Sequence, residues 1–256
     1  MLNFEELKDF LNEKADVYNN SEFIQDDPVQ IPHRFSLKQD IEIAGFLAAT
    51  ISWGNRKSIL KSAEKMLDFM GNSPYDFVRN YSENDLKSID GKSIHRTFNG
   101  EDFIYFIRQF NRIYRENSSL ESLFLTEDSE TNFYHAIERF RTQFLHIEKH
   151  RSHKHISSPY KNSSSKRIIM FLRWMVRNDN RGVDFGIWRN IDPKNLSIPL
   201  DVHTGNISRK LGLISRTQND WKTVLELDEM IRKFDDKDPA KYDFALFGLG
   251  VTKELF

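Results

Sequence analysis

Two residues in this chain have the type and setting for amine chemistry. Lys166 follows three hydroxyls, Ser163, Ser164 and Ser165, and opens the apolar run Ile168-Ile169-Met170-Phe171-Leu172. Asp201 follows Ile198-Pro199-Leu200 and precedes Val202-His203-Thr204. Both stand where a helix should begin, because serine and aspartate are favoured caps of a first turn. The positive end of a helix disfavours a protonated amine, the more so if the amine is shielded from water, and the free amine is the nucleophile. A carboxylate at a second helix start stays ionised and shuttles protons. Together, such a pair can form and resolve a Schiff base with a sugar aldehyde. Each residue also has a plain reading: Lys166 as a surface lysine beside a capped helix, Asp201 as a cap contributing about 1 kcal/mol. The two are thirty-five positions apart, which neither joins nor separates them.

The elements that must position this pair are helical. Three- and four-residue spacing of apolar side chains predicts helices over 4–18, 40–51, 55–70 and 165–177, and further ones at 202–211, 221–234 and 239–249. Two more are centred on Phe103–Tyr114 and Phe133–Leu145. The 40–51 stretch is apolar on nearly every side, as a buried helix requires, and Gly71 and Gly212 read as helix stops. No alternating strand pattern stands out, and there is no internal repeat. The expected fold is all-α, a single domain over 1–256 with two helical lobes and a hairpin and catalytic segment at 156–213.

Bulk composition narrows the function classes. The chain has 256 residues, 39% of them apolar and 21 of them Phe, enough for a substantial core. It contains no cysteine, which excludes disulfides, cysteine nucleophiles and cysteine-held zinc or iron–sulfur sites. No run approaches the roughly 20 apolar residues of a membrane span. Met1-Leu2-Asn3-Phe4-Glu5-Glu6 lacks the basic-then-apolar pattern of a signal peptide, so the expected location is the cytoplasm.

Net charge is −1, but unevenly spread. Residues 149–181 hold nine Lys/Arg, from Lys149 through Lys161, Lys166, Arg167 and Arg173 to Arg181, against one acid, Asp179. Such a stretch reads either as a phosphate-holding patch or as a solvated basic loop. The turn at Pro159–Ser165 adds a natural phosphate seat, since backbone N–H groups at a helix start lack intrahelical partners. His203 has two readings, a hydrogen bond to a ligand or a brace for its helix start. His150, His153 and His155 lack metal-ligand spacing and nearby carboxylates, so no metal site is expected.

At these residues the chain resembles the helix-hairpin-helix DNA glycosylase superfamily, which includes endonuclease III and the 8-oxoguanine glycosylases. Ser164-Ser165-Lys166 is similar to the Gly-Thr-Lys entry of its lyase members, and Ile198-Pro199-Leu200-Asp201-Val202-His203 to their Val-Asp-x-His segment. Residues 40–71 resemble its first core helix pair, with Ile51-Ser52-Trp53-Gly54-Asn55 at the substrate-facing bend. As a whole the chain is similar to a bacterial family of uncharacterised proteins within that superfamily. Asn162-Ser163-Ser164-Ser165 departs from the usual Gly-x-Gly hairpin, and the lysine-to-aspartate interval is longer than in most members.

The resemblance implies base excision from duplex DNA carrying a damaged base or abasic site, with Lys166 as nucleophile and Asp201 assisting. It also implies DNA contacts from Ser163, Ser164, Ser165, Lys161, Arg167, Arg173 and His203, although Arg173 has an alternative place inside the fold. Trp53, Trp174 and Trp188 are candidates to stack on a base or to sit in the core. No organic cofactor is expected, a monovalent cation can sit at such a hairpin, and no obligate protein partner is evident. The alternatives are a non-catalytic nucleic-acid binder of the same fold and a helical protein-interaction module, which would show no salt-dependent nucleic-acid affinity.

Overall fold

In a computed structural model of the chain, the structure describes residues 2–146 and 150–254. Lys149 lies outside the described residues. Helices dominate: α1 (Phe4–Tyr18), α2 (Glu22–Asp26), α3 (Lys38–Thr50), α4 (Arg56–Phe69), α5 (Pro74–Asn80) and α6 (Glu83–Leu86) come first. A short antiparallel pair follows, β1 (Ser93–His95) with β2 (Phe98–Asn99), then α7 (Gly100–Glu116) and α8 (Tyr134–Phe144). The last four helices are α9 (Lys166–Val176), α10 (Val202–Lys210), α11 (Trp221–Phe234) and α12 (Tyr242–Thr252). The all-α expectation therefore holds, with one departure: the hairpin around Arg96 is too short to show an alternating pattern. Pro239–Lys241 forms a 3-10 turn, so the last helix begins later than its sequence suggests.

The chain divides into two compact units. One gathers 1–23, 126–138 and 157–256; the other holds 24–125 and 139–156. In the second unit, Phe46 of α3 meets Phe110 of α7 at 5.7 Å, and Phe140 and Phe144 of α8 at 5.5 and 5.3 Å. These rings explain why 40–51 is apolar on nearly every side: Ile41 through Thr50 are all buried, Glu42 included. Burying such aromatics contributes about 1.5–3 kcal/mol each relative to exposure.

In the first unit, α9 buries Ile168, Phe171, Leu172, Trp174 and Met175, while α12 buries Phe244, Leu246 and Leu249. α1 lies against α12 so closely that a Cβ on Gly248 would stand 2.3 Å from the Tyr18 ring. The Tyr18 hydroxyl donates to Glu254 at 2.6 Å, and Lys14 pairs with Glu254 at 2.8 Å. Among the described residues no helix is long and apolar enough to cross a membrane.

Candidate active site

The site is built from two helix starts of the first unit. α9 is entered from a three-residue 3-10 turn, Pro159–Lys161, followed by Asn162 in the left-handed region at φ 61° and ψ 22°. Ser165, at the N-cap position, is left-handed too, at φ 49°. That backbone turns its hydroxyl away from the helix, so Ser165 does not cap α9 as the sequence suggests. Its Oγ instead donates to the Ser163 carbonyl at 3.4 Å, and its N–H donates to Ser163 Oγ at 3.2 Å. A left-handed residue with a Cβ costs roughly 1–2 kcal/mol. Outside contacts hold the turn in place: Trp221 N donates to the Asn162 carbonyl at 3.2 Å, and Asn162 Nδ2 to Asp220 at 3.0 Å.

The second start is conventional. Asp201 caps α10, accepting from Thr204 N at 2.9 Å, and its own carbonyl accepts from Asn219 Nδ2 at 2.8 Å. Ser164 Oγ donates to the Leu200 carbonyl at 3.4 Å, joining the α9 turn to the approach of α10. The result is the juxtaposition that the sequence left open: Lys166 Nζ stands 3.7 Å from Asp201 Oδ2. The lysine side chain is 37% exposed and the aspartate 16%, so a solvent-borne ligand can reach the amine. A carboxylate at this distance can accept the ammonium proton through one water.

His203 lies on the first turn of α10, exposed, with Nδ1 3.2 Å from the Gly250 carbonyl. Only an N–H can donate to a carbonyl, so in the neutral ring Nε2 is the acceptor. Lys161 is exposed beside the turn. Arg167 is half-buried, and loss of water lowers its guanidinium to about 10, still charged at neutral pH.

Other expected site residues sit elsewhere. Arg173 is buried, its Nε 3.2 Å from Asp184 and its Nη1 bonded to Asp243, so it serves the interior rather than a phosphate. Trp188 is buried against Phe171 at 5.4 Å, and Trp174 is wholly buried; neither is a stacking surface. Trp53, half-buried in the second unit, meets His95 edge-on at 5.1 Å and stacks on His155 at 6.0 Å.

The basic run of 149–181 is also smaller than it reads. Arg177 is paired with Asp179, Asp184 and Asp238, Arg181 with Asp16, and Arg151 with Asp102. Carboxylates of the following loop and of distant segments neutralise these charges; Lys161, Lys166 and Arg167 lie near the turn, with Lys166 facing Asp201. His150 stacks on Tyr105 at 4.1 Å, and among the described residues no group of three or more His, Asp or Glu could hold a metal ion.

A family model described as "Protein of unknown function (DUF2400)" covers residues 27–252. The chain belongs to this family. The DUF2400 span takes in Lys166, Asp201 and every helix from α3 to α12, whereas α1 precedes it. No curated protein and no solved structure matches the chain.

Sequence reasoning missed Asp243, the buried carboxylate of α12 that Arg173 of α9 bonds. Its signal was a lone carboxylate in the apolar stretch Tyr242-Asp243-Phe244-Ala245-Leu246. It also missed the pairing of Asp102 with His155, 3.1 Å apart and both buried, which leaves no sequence trace because fifty-three positions separate them.

Proposed function

We propose that this protein is a DNA base-excision enzyme, a glycosylase with abasic-site lyase activity that works through Lys166. The observation that carries the reading is the 3.7 Å approach of Lys166 Nζ to Asp201 Oδ2 at two adjoining helix starts. The hydroxyl-rich turn supports it, as do Lys161 and Arg167 beside that turn. Asn162 and Ser165 supply left-handed positions without glycine, the role a helix-hairpin-helix turn needs filled. An anion beside Lys161 and Arg167 would meet the first-turn amides of α9.

The chemistry follows from the pair. A damaged nucleotide is rotated out of the duplex, at a cost of a few kcal/mol in lost stacking. Asp201 takes a proton from Lys166, and the freed amine attacks C1′ of the sugar. The C1′–N bond to the base breaks, its electron pair leaving with the base, which takes up a proton. Of the two protons left on nitrogen, one passes to solvent and one to O4′ as the sugar ring opens, giving the imine. Removal of a 2′ proton then expels the 3′ phosphate by β-elimination, and water releases Lys166 unchanged. Asp201, its proton passed on to the departing base, is a carboxylate again and stabilises the positive charge on the sugar.

Borohydride trapping on duplex DNA with an abasic site tests the reading, with wild type and Lys166→Gln side by side. A covalent adduct in wild type that is lost in the variant is expected. An adduct that persists in the variant would assign the chemistry to another amine. No adduct with either protein would remove the lyase mechanism and leave plain nucleic-acid binding as the alternative.

A further inference from the structure

The turn that leads into α9 carries an exposed ring held in one place, which the lysine chemistry does not use. Tyr160, in the 3-10 turn Pro159–Lys161, is 55% exposed. Tyr134 of α8 lies against one of its faces, with centroids 4.9 Å apart and planes 36° off parallel. Its hydroxyl shares a 2.6 Å hydrogen bond with His135 Nδ1, whose ring stands at 87° to it. Among the described residues no other ring meets Tyr160, so much of its second face is left to solvent. Tyr134 in turn rests on the buried Trp221 of α11 at 5.3 Å. Three rings thus run from the interior of the first unit to its surface, with Tyr160 outermost.

The backbone under that ring is pinned. Ser158 caps the turn, its Oγ accepting from Lys161 N at 3.2 Å and donating to Glu138. Tyr160 N donates to Glu138 at 3.4 Å, and Asn162 is held by Trp221 N and Asp220. Fixing a tyrosine at the surface costs side-chain entropy, and leaving its face in water forgoes the gain from burial. A tyrosine that serves only packing is turned inward, as Tyr105, Tyr114 and Tyr242 are in this chain. A ring fixed before its partner arrives suits a stacking site, because the ordering cost is met in advance.

Charge narrows what that partner is. Lys161 and Lys222 follow directly on the outermost and innermost rings, and both are exposed. Neither forms an ion pair among the described residues. The carboxylates that touch this segment are already engaged. Glu138 accepts from Ser158 and Tyr160 N, and Asp220 from Asn162, Thr223 N and Arg216. A flat apolar face with unpaired lysines beside it suits a planar group on an anionic chain. A nucleic-acid strand supplies both, since every base has a π-face and every link a phosphate. Bases inside a duplex already stack on one another, so the base that meets Tyr160 must be unpaired.

We infer that Tyr160 is a stacking platform for an unpaired base of a DNA strand whose phosphates meet Lys161 and Lys222. The platform gives the chain a grip on single-stranded DNA, or on a duplex with an unpaired stretch. It shares a turn with Lys166 but uses none of its chemistry, so it stands or falls apart from the lyase reading.

Fluorescence anisotropy with the full chain tests this on two labelled single strands of equal length. One is built of thymidines; the other has tetrahydrofuran sugars that carry neither base nor aldehyde, so Lys166 has nothing to attack. Wild type should prefer the base-bearing strand. Tyr160→Ala should weaken that binding about fivefold or more and leave the baseless strand unchanged. Tyr160→Phe, which keeps the ring and loses the bond to His135, should fall between the two. Lys161→Ala should weaken both strands and lower the salt slope by about 0.7. Unchanged affinity in Tyr160→Ala would overturn the inference. So would equal affinity of wild type for both strands, a result that needs no variant to fold. Affinity for neither strand would overturn it as well and leave a protein as the occupant of the ring. A preference for bases without any trapped adduct would sink the lyase reading and keep the platform; an adduct with equal affinities would do the reverse.

Discussion

Asp102 in the second unit and Asp243 in the first are both buried carboxylates near the start of a helix, yet their surroundings drive them in opposite directions. Asp102 is surrounded by donors: Arg151 Nη1 at 2.8 Å, Ser152 Oγ at 2.9 Å, Asn99 N at 3.1 Å and His155 Nε2 at 3.1 Å. Burial works against its charge, but His155, Asn99 and Ser152 outweigh it and hold the carboxyl below its ordinary value of 3.8. Asp243 has one guanidinium and two carboxylates acting on it, and burial prevails. Low exposure alone therefore does not decide the protonation of a carboxyl here; the local donors and charges weighed against burial do. The first arrangement suits a fixed scaffold, and the second suits a group that changes state near neutral pH.

The largest effect that would break this contrast comes from Arg173. Arg173→Met strips both Asp184 and Asp243 of their shared cation and should cost about 3–5 kcal/mol, read by urea unfolding. A loss below about 1 kcal/mol would mean that the carboxyl groups neutralise themselves without it. Next comes the direct comparison of the two carboxyls. Asp102→Asn should cost about 2 kcal/mol or more, because it leaves charged and neutral donors mismatched. Asp243→Asn, mimicking a proton already present, should cost under about 1 kcal/mol below neutral pH.

The pH dependence sharpens the difference. Asp102 has a depressed folded value, so its contribution is present above 3.8 and is lost as pH falls below that. Asp243 has a raised folded value, so the stability from its proton is full below 3.8 and drains away as pH rises to about 7. Asp243→Asn should flatten the decline across that window, and Asp102→Asn should leave it intact. Equal slopes in all three proteins would erase the distinction. The smallest effects concern two caps: Asn99→Ala and Asp201→Ala should each cost about 1 kcal/mol. Only the second should abolish adduct trapping with abasic DNA.

The sequence was most informative where chemistry depends on local structure. Helix starts at Lys166 and Asp201 are readable from hydroxyls, a cap and the apolar run behind each. Their approach is not, because it depends on the bridge from Ser164 to Leu200 and on Asn219 gripping the Asp201 carbonyl. The left-handed turn at Asn162 and Ser165 was hidden for a different reason: glycine is the usual marker of that backbone, and neither position has it. The charge run misled because a basic residue looks the same in sequence whether it meets solvent, as Lys161 does, or an interior aspartate, as Arg173 does. Arg173 was the one member with an interior place open to it, and it falls on α9 among buried Leu172, Trp174 and Val176.

The packing of α1 on α12 has a consequence for how the chain is made. Tyr18 of α1 meets Thr252 across 234 positions of sequence. At about 5–20 residues per second of synthesis, α1 leaves the ribosome roughly ten to fifty seconds before its partner exists. Through that interval its buried stripe of Leu7, Leu11 and Ala15 has no α12 to cover it, while 24–156 can already assemble its phenylalanine core. α1 is therefore made well before it is secured, and a chain stalled before Tyr242 should protect the amides of α3 and α7 from exchange but leave those of α1 open.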